Sequence, residues 1–302
     1  MIGKYKLHTI DLHFQGLAET IASYVIEGSD GLVMIETGPG STLENGLAGL
    51  TELGFKPEDV RHILLTHIHF DHAGAAGWWA QQGAHIYVHH FGAQHLIDPA
   101  KLIASAGRIY GDQMGPLWGD ILPAPAENVT SLYDGDRIEA GSLTFIAHET
   151  PGHARHHHVY QLEDIAFTGD AAGILLPEFN LPDIPAPPPE FDLEVWLETV
   201  DKIGALPVEA IYPTHYGRIA DKKSHLTAIK RLLQESADFV KERMDAGMDR
   251  DTLLDEYTQW NRKRAQQAGL SEEGILHYET VNPLYMSVDG IIRYWRKRAT
   301  AD

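Results

Sequence analysis

Residues 66–74 read Thr-His-Ile-His-Phe-Asp-His-Ala-Gly, so His67, His69, Asp71 and His72 offer potential metal ligands in close succession. In an extended chain, side chains two apart leave on the same side, which pairs His67 with His69. Asp71 and His72 fall where small residues open a helix, and the turn of the backbone sends them to a neighbouring point. Two pairs of donors arranged this way suit two metal ions a few ångströms apart. Three further candidates end apolar, β-type segments: His153 in TPGH, Asp170 in FTGD and His215 in YPTH. Each has a small or turn-forming neighbour, which lets it reach the end of a sheet. Five imidazoles and two carboxylates account for two closed ligand sets.

Those residues must be carried by strand ends. TIDLHF, IASYVIEG and GLVMIETG alternate in the manner of antiparallel strands up to about residue 37. A Gly-Pro-Gly turn at 38–40 and Ser41 then open a helix over roughly 42–53, and HILLT at 62–66 is a short buried strand that delivers His67. A helix over 73–82, a strand over 84–90, a helical stretch over 91–110 and an all-β region over about 129–170 follow. Strands mixed with helices in both halves predict sheets packed together with helices outside. The passage LLPEFNLPDIPAPPPEFD at 175–192 lacks periodicity; it reads as a surface linker, a wall over the site or an arm for a partner. Beyond Lys222 the character is helical, with stripes at Leu226, Ile229, Leu233 and Val240, at Leu253, Leu254, Tyr257 and Trp260, and at Leu284, Val288, Ile291 and Trp295. Three helices docked as an appendage are expected, giving a catalytic domain over 1–221 and a helical extension over 222–302.

Composition narrows the chemistry. The chain has 302 residues, 43% hydrophobic, enough for a substantial core. It carries 18 His and no Cys, which excludes disulfides, thiolate ligands and cysteine nucleophiles and leaves imidazole and carboxylate as the transition-metal ligands. Of 24 basic and 43 acidic residues, residues 1–220 hold 10 and 29, and therefore the whole net charge of −19. An acidic body repels phosphate backbones, so nucleic acid is not the expected partner. No stretch approaches the length of a membrane span, and MIGKYKLHTIDLHF alternates where a signal peptide would be continuously apolar. A cytoplasmic protein without membrane contact follows as the expectation.

The series His67-X-His69-X-Asp71-His72, then His153, Asp170 and His215, resembles the metallo-β-lactamase superfamily. TGPG at 37–40, TPGH at 150–153 and TGD at 168–170 are most similar to its hydroxyacylglutathione hydrolase (glyoxalase II)-like branch. The resemblance spans about residues 5–220. It implies an α+β fold, a four-layer αββα sandwich with a dinuclear site at one edge. It also implies that His67, His69 and His153 hold one metal, that Asp71, His72 and His215 hold the other, and that Asp170 bridges them. Glu36, at the end of GLVMIETG, departs from the Asp the family commonly places there to support the ligand loop, and so changes the reach of that support.

The implied activity is hydrolysis of a small ester, thioester or lactone by a hydroxide shared between two divalent ions, with Asp71 or Asp170 orienting the attacking oxygen. Zinc is the leading metal, and the same ligands also accept iron or manganese. Two other readings stand beside it: a mononuclear iron dioxygenase of the persulfide type, and a binding protein whose metals are structural. Tyr216, His157 and His90 are the candidate substrate contacts, each with a packing role as its alternative. The basic clusters at 262–264 and 296–298 read as helix ends, or as the place where an anionic thiol substrate would meet the C-terminal helices. A homodimer is the expected assembly.

Overall fold

The alternating segments near the start of the chain form strands Leu7–Asp11 (β1), Ala22–Glu27 (β2) and Leu32–Ile35 (β3) in the computed structural model, which describes residues 6–177 and 179–300. Val60–Leu64 (β4), His85–His89 (β5) and Val129–Leu132 (β6) complete a six-stranded sheet in sequence order. β1 to β3 pair antiparallel, as their alternation predicts, whereas β3 to β6 run parallel. Parallel strands need crossovers, and helices supply them: Leu43–Glu52 (α1), Phe70–Ala73 (α2), Ala76–Gln81 (α3), His90–Ile97 (α4), Ala100–Tyr110 (α5) and Met114–Trp118 (α6). The helical stretch expected over 91–110 breaks at Asp98-Pro99, where proline cannot continue an α-helix.

The chain divides into two compact units. The first comprises residues 1–149 and 156–169. Besides the first sheet it contains Arg137–Ala140 (β7), Leu143–Glu149 (β8), His158–Leu162 (β9) and Ile165–Gly169 (β10), which pair antiparallel in succession. The two sheets meet face to face: Tyr24 and Phe167 lie 5.4 Å apart between ring centres, and the Tyr160 hydroxyl donates to the Leu65 carbonyl at 2.8 Å. Ile63, Leu65, Ile86, Val88 and Trp79 fill the opposite side of the first sheet among the helices. This burial holds the carboxyl ends of β4, β5 and β6 at one edge.

The second unit comprises residues 150–155 and 170–302. It contains Leu193–Ala205 (α7), Ala210–Pro213 (β11), Lys222–Asp245 (α8), Arg250–Gln267 (α9), Glu272–Val281 (α10) and Leu284–Ala299 (α11). Among the described residues four helices therefore stand from Lys222 onward, where three stripes are visible in the sequence. The extra one, α10, is a ten-residue helix with a glycine inside, and it buries only Gly274, Ile275 and Tyr278. Helix α7 is also absent from the expected elements, although Leu193, Trp196, Val200 and Ile203 form a helical stripe that the structure buries. The Pro-rich passage is an ordered arm of this unit. Ile174 and Asp183 exchange backbone hydrogen bonds of 2.8 and 3.0 Å, and the Tyr278 hydroxyl accepts from the Leu176 amide and donates to the Leu181 carbonyl. Among the described residues no helix is long and apolar enough to cross a membrane.

Candidate metal centre

Strand β4 ends at Leu64, and the chain runs through Leu65 and Thr66 into His67, His69 and the short helix α2 that carries Asp71 and His72. His67 and His72 are completely buried. The structure brings these four candidates together within the first unit: His67 Nε2 lies 2.9 Å from His69 Nδ1, and His72 Nε2 lies 3.7 Å from Asp71 Oδ2.

Glu36 sets their orientation. It is fully buried at the end of β3 and adopts φ 65°, a left-handed conformation that costs a non-glycine residue on the order of 1–3 kcal/mol. Its carboxylate accepts from the Thr66 amide at 3.2 Å, from the Thr66 hydroxyl at 2.5 Å and from His72 Nδ1 at 3.2 Å. Because Thr66 spends its proton on Glu36, its oxygen accepts from His67 Nδ1 at 3.1 Å. Both rings therefore carry hydrogen on Nδ1 and keep the Nε2 lone pair for a metal. The longer glutamate in place of aspartate supports the loop fully, by reaching from a strained backbone position. Thr66 is the functional residue that sequence reasoning missed, and nothing in its local pattern marks it as a relay.

The second unit brings together the other three candidates. His153 Nε2 is 3.4 Å from Asp170 Oδ2, and His215 Nε2 is 3.6 Å from Asp170 Oδ1. All three side chains are at least 97% buried, so water does not solvate these contacts. His153 Nδ1 donates to the Pro185 carbonyl at 2.7 Å, which leaves Nε2 of the neutral ring with a lone pair turned toward a carboxylate. Such a contact is repulsive unless a cation lies between the two groups or a proton sits on the ring. Asp170 thus offers one oxygen to each of two imidazoles, and imidazole with carboxylate is the donor set that zinc, iron and manganese accept. The residues fit divalent metal on this chemistry.

Residues around the candidate donors hold the backbone in place. Trp196 donates its indole N–H to the Ala171 carbonyl at 2.8 Å, and buried His225 lies 2.7 Å through Nε2 from the Ala172 carbonyl, so α7 and α8 fix the turn after Asp170. Gly169 has φ +49°, and a Cβ there would come within 2.3 Å of the Thr66 hydroxyl, which is why the TGD motif needs its glycine.

Burial pushes His225 below its ordinary value of 6.5, with the Ala172 carbonyl opposing that shift. The fold therefore favours the neutral ring, and the stability this contributes is complete above pH 6.5. It is lost as pH falls from there through the lower folded value, because the unfolded chain takes up the proton first. Thermal midpoints measured between pH 8 and pH 5 are expected to fall less for His225→Gln than for the unsubstituted chain on the acid side. Gln retains a donor for Ala172, and superimposable curves would contradict this.

The remaining candidates separate by environment. His157 is buried with its ring stacked 4.9 Å from that of His67, and the His158 amide donates to the Thr66 carbonyl at 2.7 Å. His156 is also buried, so none of the three consecutive histidines faces solvent. His89 is buried, lies 2.9 Å from Glu149 Oε1 and accepts from the Phe91 amide through Nδ1, which caps α4. His90 does not turn away from it: its ring stacks on that of His89 at 4.3 Å and on Tyr133 at 4.4 Å, and lies 4.1 Å from the Phe91 ring. Tyr216, after a cis peptide bond with His215, is partly buried against the apolar cluster that contains Ile174, Leu176, Ile275 and Tyr278. The basic clusters include three residues committed to partners within the chain: Arg262 to Glu279 through two bonds of 2.7 Å, Arg264 to Asn261 and Pro182, and Arg298 to Glu194.

The Lactamase_B family model, described as the metallo-beta-lactamase superfamily, matches residues 18–215. The chain belongs to the metallo-β-lactamase superfamily. Members of this superfamily are mostly metal-dependent hydrolases, and the buried His and Asp groups of both units suit that chemistry. Among relatives, the metallo-beta-lactamase fold-containing protein ST1585 of Sulfurisphaera tokodaii is 28% identical over 220 residues, covering 72% of this chain and 80% of its own length. The hydroxyacylglutathione hydrolase of Methylobacterium nodulans is 31% identical over 173 residues, covering 56% of this chain and 52% of its own. The crystal structure of the metallo-beta-lactamase family protein TTHA1429 from Thermus thermophilus superposes with a TM-score of 0.70 at 21% identity, covering 97% of this chain and 94% of that one. At that identity the likeness is one of fold: the metallo-β-lactamase fold, α+β with mixed sheets, here with C-terminal helices.

Proposed function

We propose that the protein is a dinuclear metal-dependent hydrolase of a small ester, thioester or lactone. One observation carries the proposal: the buried Asp170 carboxylate turns one oxygen toward His153 and the other toward His215, as a ligand shared by two ions must. His67, His69 and His153 would hold one ion, Asp71, His72 and His215 the other, and Asp170 would bridge them. When bound, such a pair would supply Lewis acidity and lower the pKa of a coordinated water toward ~7. Glu36 and Thr66 keep the Nδ1 protons on His72 and His67, and the Pro185 carbonyl does the same for His153, so the metal-facing nitrogens stay deprotonated. Asp71, 23% exposed where His72 is fully buried, would accept a proton from the attacking water. Zinc is the proposed metal, in a cytoplasmic homodimer. The glyoxalase II-like branch is the proposed affiliation, supported by the partial match to a hydroxyacylglutathione hydrolase.

The test combines elemental analysis with a panel of thioesters, lactones, phosphotriesters and nitrocefin on metal-reconstituted protein. Two ions per chain with carbonyl-ester turnover support the reading. One iron per chain with oxygen consumption on a persulfide would replace it with the dioxygenase, and metal-loaded protein inert to the whole panel but retaining a partner in pulldown would favour a binding role. Light scattering tests the dimer.

Substrate contacts follow from the same sheet edge. Parallel α/β sheets bind ligands outside the carboxyl ends of their strands. There Tyr133 follows β6 and His90 follows β5, with Phe91 and Tyr133 exposed at 50% and 57%. We assign this three-ring patch to the acyl or leaving-group side of the substrate. Tyr133→Ala is expected to raise KM for aryl-bearing esters by about 2- to 10-fold, the worth of one aromatic contact, with kcat preserved. Equal KM values on aryl and acetyl esters for both proteins would place the substrate elsewhere.

A further inference from the structure

We propose that helix α11 tunes how tightly the metal is held at His153, acting through the Pro-rich arm and making Ser287 a positioning residue. The inference rests on His153 being a ligand. His153 Nδ1 donates to the Pro185 carbonyl at 2.7 Å, a bond that helps orient the ring. That carbonyl and the Ala186 amide are two ends of one planar peptide group, so fixing the direction of one fixes the other. The Ala186 amide donates to Ser287 Oγ at 3.1 Å. Ser287 thus reaches His153 through a single rigid plane.

The flanking contacts leave the plane little freedom. Asn282, just after α10, donates to the Ile184 carbonyl at 3.0 Å and to Asp183 Oδ2 at 2.8 Å. Gly290 of α11 lies so close that a Cβ there would come within 1.9 Å of the Ala186 carbonyl. Ile184, Ala186, Asn282 and Ser287 are all buried. Beyond the Ile174–Asp183 bridge the arm at 184–187 has no regular structure and takes its course from these helices, which gives both the arm and the C-terminal helices a role in the centre.

The experiment is a set of chelator competitions on the full chain loaded with Zn²⁺, alongside denaturant unfolding of the metal-free form. Ser287→Ala is expected to weaken the zinc ion held by His153 about 10-fold, the lower end of what partners supporting metal ligands contribute. Gly290→Ala is expected to act in the same direction by displacing the arm. Trp295→Phe, which removes the indole bond from α11 to the Ala237 carbonyl, should lower metal-free stability while leaving zinc affinity unchanged. In a His153→Ala background Ser287→Ala should have no further effect on affinity, since the two act through one bond. Ser287→Ala with unaltered affinity, while His153→Ala weakens it, would overturn the inference alone. Unaltered affinity in His153→Ala would overturn the ligand assignment and the inference with it.

Discussion

Asp170→Ala is expected to yield a folded chain that retains at most one metal ion and loses on the order of 10³-fold or more in kcat/KM toward whichever panel member is turned over. Two like unit charges 4 Å apart repel by about 4 kcal/mol at an effective dielectric of 20, and two divalent ions by roughly four times that. In a pocket where Asp170, His153 and His215 are nearly inaccessible to water, a carboxylate between the ions is the group able to offset that repulsion. Asp170→Asn separates charge from shape: it keeps the volume and one oxygen, and should lose the second ion almost as completely. Elemental analysis and steady-state kinetics on the same preparation decide the matter. Two ions and undiminished turnover in Asp170→Ala would remove the carboxylate from the mechanism.

Glu36→Ala is the second large effect. It deletes the acceptor of three hydrogen bonds, from the Thr66 amide, the Thr66 hydroxyl and His72 Nδ1, all within a fully buried cluster. A buried donor left without its acceptor costs about 1–3 kcal/mol, so the metal-free protein should lose several kcal/mol of stability, and alanine, which keeps the Cβ, gives back none of the backbone strain at φ 65°. Metal affinity should fall by about 10- to 100-fold, because His72 and, through Thr66, His67 lose the partner that fixes their tautomer. Glu36→Asp distinguishes charge from reach. With one methylene fewer on the same backbone, it should retain the charge and still bind metal more weakly. Chelator competition and denaturant unfolding provide the two readouts, and wild-type affinity in both variants would show that the ligand loop orients itself.

The candidate donors were legible because their signal is local. His67, His69, Asp71 and His72 fall within one loop, and His153, Asp170 and His215 each follow a strand-like segment, so residue type and position suffice to nominate them. The strand and helix periods of β1 to β5, and the stripe Leu226, Ile229, Leu233 and Val240 of α8, were legible for a similar reason: their buried faces recur at intervals readable along the chain. Helix α7 was hidden by the proline run that precedes it. Helix α10 was hidden because so short a helix with an internal glycine has little propensity of its own, and its burial of Ile275 and Tyr278 depends on the arm across from it.

By itself, the sequence determined the candidate donors, the acidic body, the absence of thiol chemistry and the superfamily fold. Tertiary structure alone decided what holds the donors in position: Glu36 reaching His72 across 36 positions, Thr66 relaying to His67, and the Pro185 carbonyl meeting His153 across 32. Such pairings leave no period in the chain, and a backbone carbonyl carries no side-chain identity to read. They arise only when strand ends and helices bring distant segments within hydrogen-bonding distance.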